Sequence, residues 1–138
     1  MSGVGEKEPV TYTSVEVRTA LKVVLVASQP LVMRPLALAC EQEGWDAKVV
    51  PFEALTPALL GGAALVIVNP DDGLGLVQRA AAAMGDRQRM AALVGWWDLR
   101  VSDLETYCAH MVHYPVRAGE VADLLRGLEP PRASRLTA

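Results

Sequence analysis

Short apolar runs alternate with stretches of helical periodicity along the middle of the chain. The first run, residues 22–27, is rich in β-branched residues and lacks polar alternation, which is typical of a parallel strand buried on both faces. Four later runs predict further strands at residues 46–51, 64–69, 90–95 and 111–116. Because a helical pattern follows each run, the sequence predicts five consecutive strand–helix units.

Proline, glycine and hydroxyl residues mark where these helices begin and end. We expect Ser28 to cap the first helix, residues 30–44, and Val32 to lie on its buried face. Thr56 is expected to cap a short second helix that ends at Gly61 and Gly62. The other helices are predicted at residues 73–85, 98–109 and 117–128.

The five units predict an α/β domain of the flavodoxin-like, doubly wound type. Right-handed crossovers place helices on both faces of a five-stranded parallel sheet, and strand order 2-1-3-4-5 is the leading topology for this number of strands. We assign residues 21–129 to this domain. Residues 1–20 are expected to form a leader, or an extra strand or arm that pairs with a neighbour, and residues 130–138 a tail or linker.

Composition narrows the class of protein. The chain has 138 residues, 51% of them hydrophobic, which fits one domain with a substantial core. A net charge of −3 argues against binding to nucleic acid or to an anionic membrane. Cys40 and Cys108 lack metal or redox spacing, so we expect both to be buried in a protein of the reducing cytoplasm.

Several catalytic and ligand-binding chemistries have only weak support in the sequence. Cys108, His110 and His113 lie near one another, but their side chains should diverge and a fourth metal ligand is missing. Gly73 and Gly75 precede a helix, yet the third glycine of a dinucleotide-binding loop is absent. No nucleophile with its base can be assembled either. We therefore expect no enzymatic activity, no cofactor and no metal.

The order of elements, rather than any single motif, carries a family resemblance. Residues 22–128 resemble a response-regulator receiver domain, with local matches at Met33, Arg34 and Pro115. In a doubly wound sheet, function gathers at the carboxyl ends of the strands. The resemblance therefore directs attention to the loops that begin at Ser28, Asn69 and Gly95.

The chain departs from the receiver pattern at each position that would carry chemistry. The resemblance implies paired acids for Mg²⁺ after the first strand, a phosphoacceptor aspartate after the third, a hydroxyl residue after the fourth, and an aromatic residue and a lysine in the fifth. The matching residues of this chain are Ser28 and Gln29, then Asn69, Gly95, Met111 and Tyr114. An amide cannot form an acyl phosphate and brings no charge for Mg²⁺. The chain thus resembles a pseudo-receiver, an atypical receiver that works independently of phosphorylation.

Two pairs of residues near this degenerate pocket leave alternatives open. Asp71 and Asp72 could present a carboxylate near the pocket, or they could belong to a polar turn that caps the third helix. Trp96 and Trp97 follow the fourth strand, where one indole could fill the pocket and the other could form a contact surface. Alternatively, both indoles are core and loop anchors.

The last two helices and the fifth strand form the predicted interaction surface. Its apolar and charged residues are Leu104, Tyr107 and Met111, with Asp103, Asp123 and Arg126. We predict a protein–protein interaction or dimerisation module of bacterial signal transduction or transcriptional regulation, whose partner is another protein or a second copy in a homodimer. An ordinary solvated surface is the alternative reading of these residues. The alternative function is a sensor that binds a metabolite or nucleotide in the vacated pocket, near Ser28, Asn69, Gly95 and Trp96.

Overall fold

Five parallel strands form one sheet at the centre of the protein. The structure is a computed structural model that describes residues 21–95 and 98–128. Its strands are β1 Lys22–Val26, β2 Asp46–Val50, β3 Leu65–Val68, β4 Met90–Gly95 and β5 His110–Tyr114. They pair in the order β2-β1-β3-β4-β5, which confirms the predicted topology. The predicted N-terminal arm and C-terminal tail, together with Trp96 and Trp97, lie outside the described residues.

The register of the sheet explains why the sequence shows continuous apolar runs. Strand β1 lies between β2 and β3, with Val23 opposite both Ala47 and Leu65. Every residue of β3 and β4 is buried, whereas the edge strands β2 and β5 are only partly covered. Central strands with apolar side chains on both faces therefore require helices on both sides of the sheet.

The helices supply that cover in two layers. They are α1 Pro30–Gln42, α2 Pro57–Gly61, α3 Leu74–Met84, α4 Val101–Leu104 and α5 Ala118–Leu128. Helices α1 and α5 contribute Met33, Leu36 and Leu125 to the core on one face, and α2, α3 and α4 contribute Leu60, Val77 and Leu104 to the core on the other. Thr56 caps α2 as predicted, accepting the N–H of Leu59.

The two cysteines confirm the prediction that they are core residues. Cys40 belongs to the core under α1, and Cys108 to the core under α4. Burial, with a smaller contribution from the charge of Glu41, raises the pKa of the Cys40 thiol to about 12. Burial likewise raises the pKa of Cys108 to about 11. Both thiols are therefore protonated at neutral pH and act as small apolar groups.

Two predictions about α1 are wrong. Gln29, rather than Ser28, occupies the N-cap position, and it makes no side-chain capping bond. The side chain of Val32 is 42% exposed, and Met33 is buried instead. The buried residues of α1 that face the sheet follow helical spacing and include Met33, Leu36 and Cys40. Val32 lies about 100° round the helix from Met33 and therefore points away from the core.

The fourth helix is also shorter than predicted. It spans only Val101–Leu104, after which the N–H groups of Tyr107 and Cys108 both bond to the carbonyl of Leu104. These bonds turn the chain so that Cys108 enters the core before β5 begins at His110. No helix within the described residues is long and apolar enough to cross a lipid bilayer.

Candidate functional site

The loops that follow β1, β3, β4 and β5 come together at one edge of the sheet. The N–H of Asn69 bonds to the carbonyl of Val26 at the end of β1, and Gly95 lies opposite Tyr114 across the β4–β5 pair. The carboxyl ends of parallel strands share one edge, so the topology places the degenerate receiver positions near one another.

Asn69 lies at the centre of this edge and is fixed by the turn that it begins. Its side chain is only 6% exposed, and it is the buried polar residue of the described chain. Its carboxamide oxygen accepts the N–H of Asp71 at 3.0 Å, which caps a 3₁₀ turn over Pro70–Asp72. The oxygen is therefore engaged within the protein, and the amide nitrogen remains the group that can donate to a bound molecule.

Ser28 does not face its own helix but bonds across to Asp72. The carboxylate of Asp72 accepts the N–H of Ser28 at 2.9 Å and the Ser28 hydroxyl at 2.5 Å. A carboxylate thus lies at the end of β1, although it comes from the loop after β3. Gln29 is exposed beside this contact.

The Pro70–Asp72 segment is a polar turn, which is one of the two alternatives for Asp71 and Asp72, but its acids do not cap α3. The N-cap residue of α3 is Gly73, whose φ of 118° lies in a region that favours glycine. The carboxylates of Asp71 and Asp72 instead bond to Arg100 and Ser28, at the ends of two other loops. The turn therefore connects the β3 loop to both of its neighbours.

Arg100 joins the loops after β3 and β4. Its guanidinium donates to both carboxylate oxygens of Asp98, at 2.9 and 2.7 Å, to Asp71 at 2.7 Å and to the carbonyl of Pro70 at 3.1 Å. The hydrogen bond from Arg100 holds the pKa of Asp98 below its ordinary value, and the bonds to Asp98 and Asp71 raise the pKa of Arg100. This contact was not predicted from the sequence, because Arg100 and Asp71 are 29 residues apart.

A cavity of about 480 Å³ opens beside Asn69, between α1 and the chain that follows β5. Among the described residues its lining is mostly apolar: Val32, Pro35, Asn69, Asp71, Leu93, Tyr114, Pro115 and Val116. Of Ser28, Asn69 and Gly95, the described residues predicted near the vacated pocket, only Asn69 lines this cavity. Ser28 and Gly95 are not among the lining residues, so the cavity lies further towards α1 and β5 than predicted.

The predicted interaction surface keeps most of its residues but loses one. Leu104 is completely buried and presents no area to solvent, because it anchors the short α4 in the core. Tyr107 and Met111 are half-buried, and the Tyr107 hydroxyl accepts a hydrogen bond from Gln78 at 2.8 Å. Asp103 is exposed, and an exposed ion pair joins Arg126 to Asp123 on α5 at 3.0 Å.

The most exposed of the large apolar side chains in the described residues was not predicted. Leu99 is 95% exposed and directly precedes Arg100 at the beginning of α4. A leucine in a helical pattern is normally assigned to the core, and only the structure shows that this one lies in the loop before the helix.

The two histidines of β5 have separate partners. A ring nitrogen of His110 lies 2.8 Å from the carbonyl of Gln88, and Nδ1 of His113 lies 2.7 Å from the carboxylate of Glu120 on α5. They are therefore parts of two different contacts, one with the loop before β4 and one with α5.

Comparison with known proteins identifies the fold. No protein-family model matches the sequence, and no curated protein matches it either. The structure is similar to NtrX from Brucella abortus, solved in complex with ADP, with a TM-score of 0.66 and 16% identity over 86% of this chain and 28% of NtrX. The chain therefore spans little more than a quarter of the length of NtrX.

Two shorter proteins match over almost their whole length. A CheY-like response-regulator receiver domain from Methylobacillus flagellatus gives a TM-score of 0.64 at 16% identity, over 80% of this chain and 100% of that one. A response regulator from Thermotoga maritima gives 0.61 at 16% identity, over 80% and 98%. The fold of this chain is thus that of a CheY-like receiver domain.

Proposed function

We propose that this domain is a pseudo-receiver that acts by protein–protein contact, without phosphorylation, in bacterial signal transduction or transcriptional regulation. The observation that carries the proposal is Asn69, a buried amide at the phosphoacceptor position whose oxygen is engaged in a turn. An amide nitrogen is neither a phosphate acceptor nor a ligand for Mg²⁺.

The contacts around Asn69 support a loop arrangement that needs no phosphate. Asp72 ties the β3 loop to Ser28, and Arg100 ties the same loop to the loop after β4. Charge-assisted hydrogen bonds between loops restrict their conformations. The protein's own side chains thus supply connections between the loops of this edge.

The surface formed by α4, β5 and α5 is the proposed contact region. Tyr107 and Met111 offer apolar area there, Leu99 adds an exposed leucine in the loop before α4, and Asp123 and Arg126 offer charges at the border. Interface energy concentrates in a few apolar, aromatic and arginine residues, while border charges mainly steer association. We propose a second copy of the chain as the first partner to test.

Sedimentation of the wild-type chain over a range of concentrations tests this surface. We expect self-association, weakened about tenfold by Leu99→Ser, which removes an exposed apolar anchor. Arg126→Glu should weaken it about two- to fivefold, with a stronger dependence on salt. Leu38→Ser is the matched control, since Leu38 is an exposed leucine of α1 outside the surface.

A double charge reversal separates the interface role of Arg126 from its ion pair within α5. Asp123→Arg combined with Arg126→Glu retains opposite charges on the two positions that are paired within the helix. Association should stay weak in the double variant if Arg126 contacts a group of the second copy other than Asp123, and it should recover if Arg126 acts through Asp123 of either copy. A wild-type chain that remains monomeric at high concentration, or an equal loss in Leu38→Ser, would contradict the proposed surface.

A small-ligand sensor is the second candidate, and the cavity beside Asn69 is the observation that favours it. Its volume of about 480 Å³ lies within the range typical of ligand pockets. It is bounded by Asp71, which Arg100 connects to the beginning of α4. An occupant of the cavity would therefore contact Asp71, which is bonded to Arg100 at the beginning of α4, one of the elements of the proposed interaction surface.

A further inference from the structure

The walls of the cavity beside Asn69 are mostly apolar, and the apolar residues come from three parts of the fold. Val32 and Pro35 lie on α1, Leu93 lies on β4, and Pro115 and Val116 follow β5. Val32 is 42% exposed although it is a β-branched apolar residue in a helix. Together with the other apolar lining residues, Val32 favours an occupant with a largely apolar body.

The polar groups in the lining distinguish between classes of ligand. Asn69 contributes its amide N–H groups, because its oxygen already accepts the N–H of Asp71. Asp71 contributes a carboxylate whose charge is paired with Arg100 at 2.7 Å. The described lining residues include no lysine, arginine or histidine. An anionic ligand would therefore lie beside the carboxylate of Asp71 and find no cation in the lining to pair with. A cationic ligand would compete with Arg100 for Asp71.

We propose that the cavity binds a neutral, mainly apolar small molecule with one carbonyl-type oxygen, which accepts a hydrogen bond from the Asn69 amide. The inference rests on the sensor candidate and specifies the chemistry that this site recognises. The amide at the position that matches a phosphoacceptor aspartate thus has a role of its own, as a hydrogen-bond donor in a mostly apolar cavity.

Three small aromatic compounds of similar size test this recognition. Acetophenone is neutral and carries a carbonyl, ethylbenzene has the same carbon skeleton without the oxygen, and benzoate is an anion. Titration of ¹⁵N-labelled protein, followed by NMR, gives the affinity for each compound and reports on the Asn69 side-chain NH₂ directly. We expect acetophenone to shift the Asn69 NH₂ signals more than ethylbenzene does, and to bind at least about tenfold more tightly than benzoate.

Two variants separate binding in the cavity from recognition by Asn69. Val32→Trp fills the cavity from a partly exposed position and should weaken acetophenone and ethylbenzene alike, by about tenfold or more. Leu38→Trp, on the same helix but outside the lining, is the control and should change neither. Asn69→Asp keeps an oxygen for the Asp71 N–H but removes the N–H donors, so the ratio of acetophenone to ethylbenzene affinity should fall about three- to tenfold.

The outcomes distinguish failure of the ligand class from failure of the sensor candidate. Suppose that Val32→Trp abolishes binding, but the Asn69 NH₂ signals do not shift and Asn69→Asp leaves the ratio of acetophenone to ethylbenzene affinity unchanged. That result would overturn the inferred ligand class and leave the cavity as a binding site. Tighter binding of benzoate than of acetophenone would also overturn it. If none of the three compounds binds the wild-type protein, both the inference and the sensor candidate are wrong.

Discussion

Replacing Asn69 with aspartate restores the residue type of a phosphoacceptor without restoring its surroundings. In the structure the Asn69 side chain is 6% exposed and makes one hydrogen bond, to the N–H of Asp71. The aspartate of Asn69→Asp could keep that bond. It would, however, place a carboxylate in a buried site beside two other acids, Asp71 and Asp72, whereas the guanidinium of Arg100 is already bonded to Asp71 and Asp98.

The size of the effect follows from burial. Burying a polar group without full compensation costs about 1–3 kcal/mol in mutational series. Because one hydrogen bond is retained, we expect Asn69→Asp to lower the free energy of unfolding by about 2 kcal/mol at neutral pH. For a chain of this length, that corresponds to a decrease in Tm of about 8 °C.

The dependence on pH identifies the buried charge as the cause. Burial raises the pKa of the new carboxyl above its unfolded value, so the protonated form is favoured in the folded state. At pH values well above that raised pKa, Asn69→Asp should show its whole loss in free energy of unfolding relative to wild type. The loss should shrink as the pH falls towards the ordinary aspartate pKa of about 3.9. Thermal unfolding of both proteins by circular dichroism, at about pH 7.5 and about pH 4.5, measures this difference.

Asn69→Ser is the matched control, since its hydroxyl can accept the Asp71 N–H but carries no charge. Its deficit should be similar at the two pH values. Our account of the site would be refuted if Asn69→Asp were as stable as the wild-type protein at neutral pH. Stabilisation of Asn69→Asp by millimolar Mg²⁺ would refute it as well, because it would reveal a metal site that the side chains of this edge do not provide.

Three further predictions concern chemistry, the Arg100 contacts and the thiols. Acetyl phosphate with Mg²⁺ should add no phosphate to the wild-type chain by intact mass, because Asn69 is an amide; a hydroxylamine-sensitive adduct would contradict the pseudo-receiver proposal. Arg100→Gln should reduce the free energy of unfolding by only about 1 kcal/mol at neutral pH, since the guanidinium is partly exposed. Because the folded-state pKa of Asp98 is depressed, the stability difference between wild type and Arg100→Gln should decline as the pH falls below the ordinary pKa of 3.8. Urea unfolding measures this difference, and a difference that is constant with pH would argue against the ion pair. Cys40 and Cys108 should react with a thiol reagent at least about a hundredfold more slowly in the folded protein than in urea, since burial raises both pKa values; equal rates would contradict their burial.

The fold was predictable because its central strands are buried on both faces. Such strands leave continuous apolar runs, and Met90–Gly95 was predicted to the residue. Edges and ends were less predictable, because contacts distant in sequence determine them. The predicted helix at residues 98–109 ends at Leu104, where the chain turns to bring Cys108 into the core. Periodicity alone could not show where that turn lies.

The candidate site was predictable as a place but not as a set of contacts. The order of strands and loops was sufficient to place Asn69, Gly95 and Tyr114 at one sheet edge. The contact between Asp72 and Ser28 spans 44 residues, and it depends on side-chain directions that no local pattern encodes. The exposure of Leu99 and the burial of Leu104 were missed for a related reason, since both are leucines in one apparent helical pattern.

The bond between Asp72 and Ser28 has a consequence for how substitutions at this edge combine. An acid at position 28 would face electrostatic repulsion from the carboxylate of Asp72. For the same reason, Ser28→Asp in the present protein would set two like charges against each other before any metal could bind. The effect of each substitution depends on which residue is already present at the other position, so the two sites are epistatic. Any series of substitutions that introduces an acid at position 28 is thus constrained in its order, with the change at Asp72 preceding the change at Ser28.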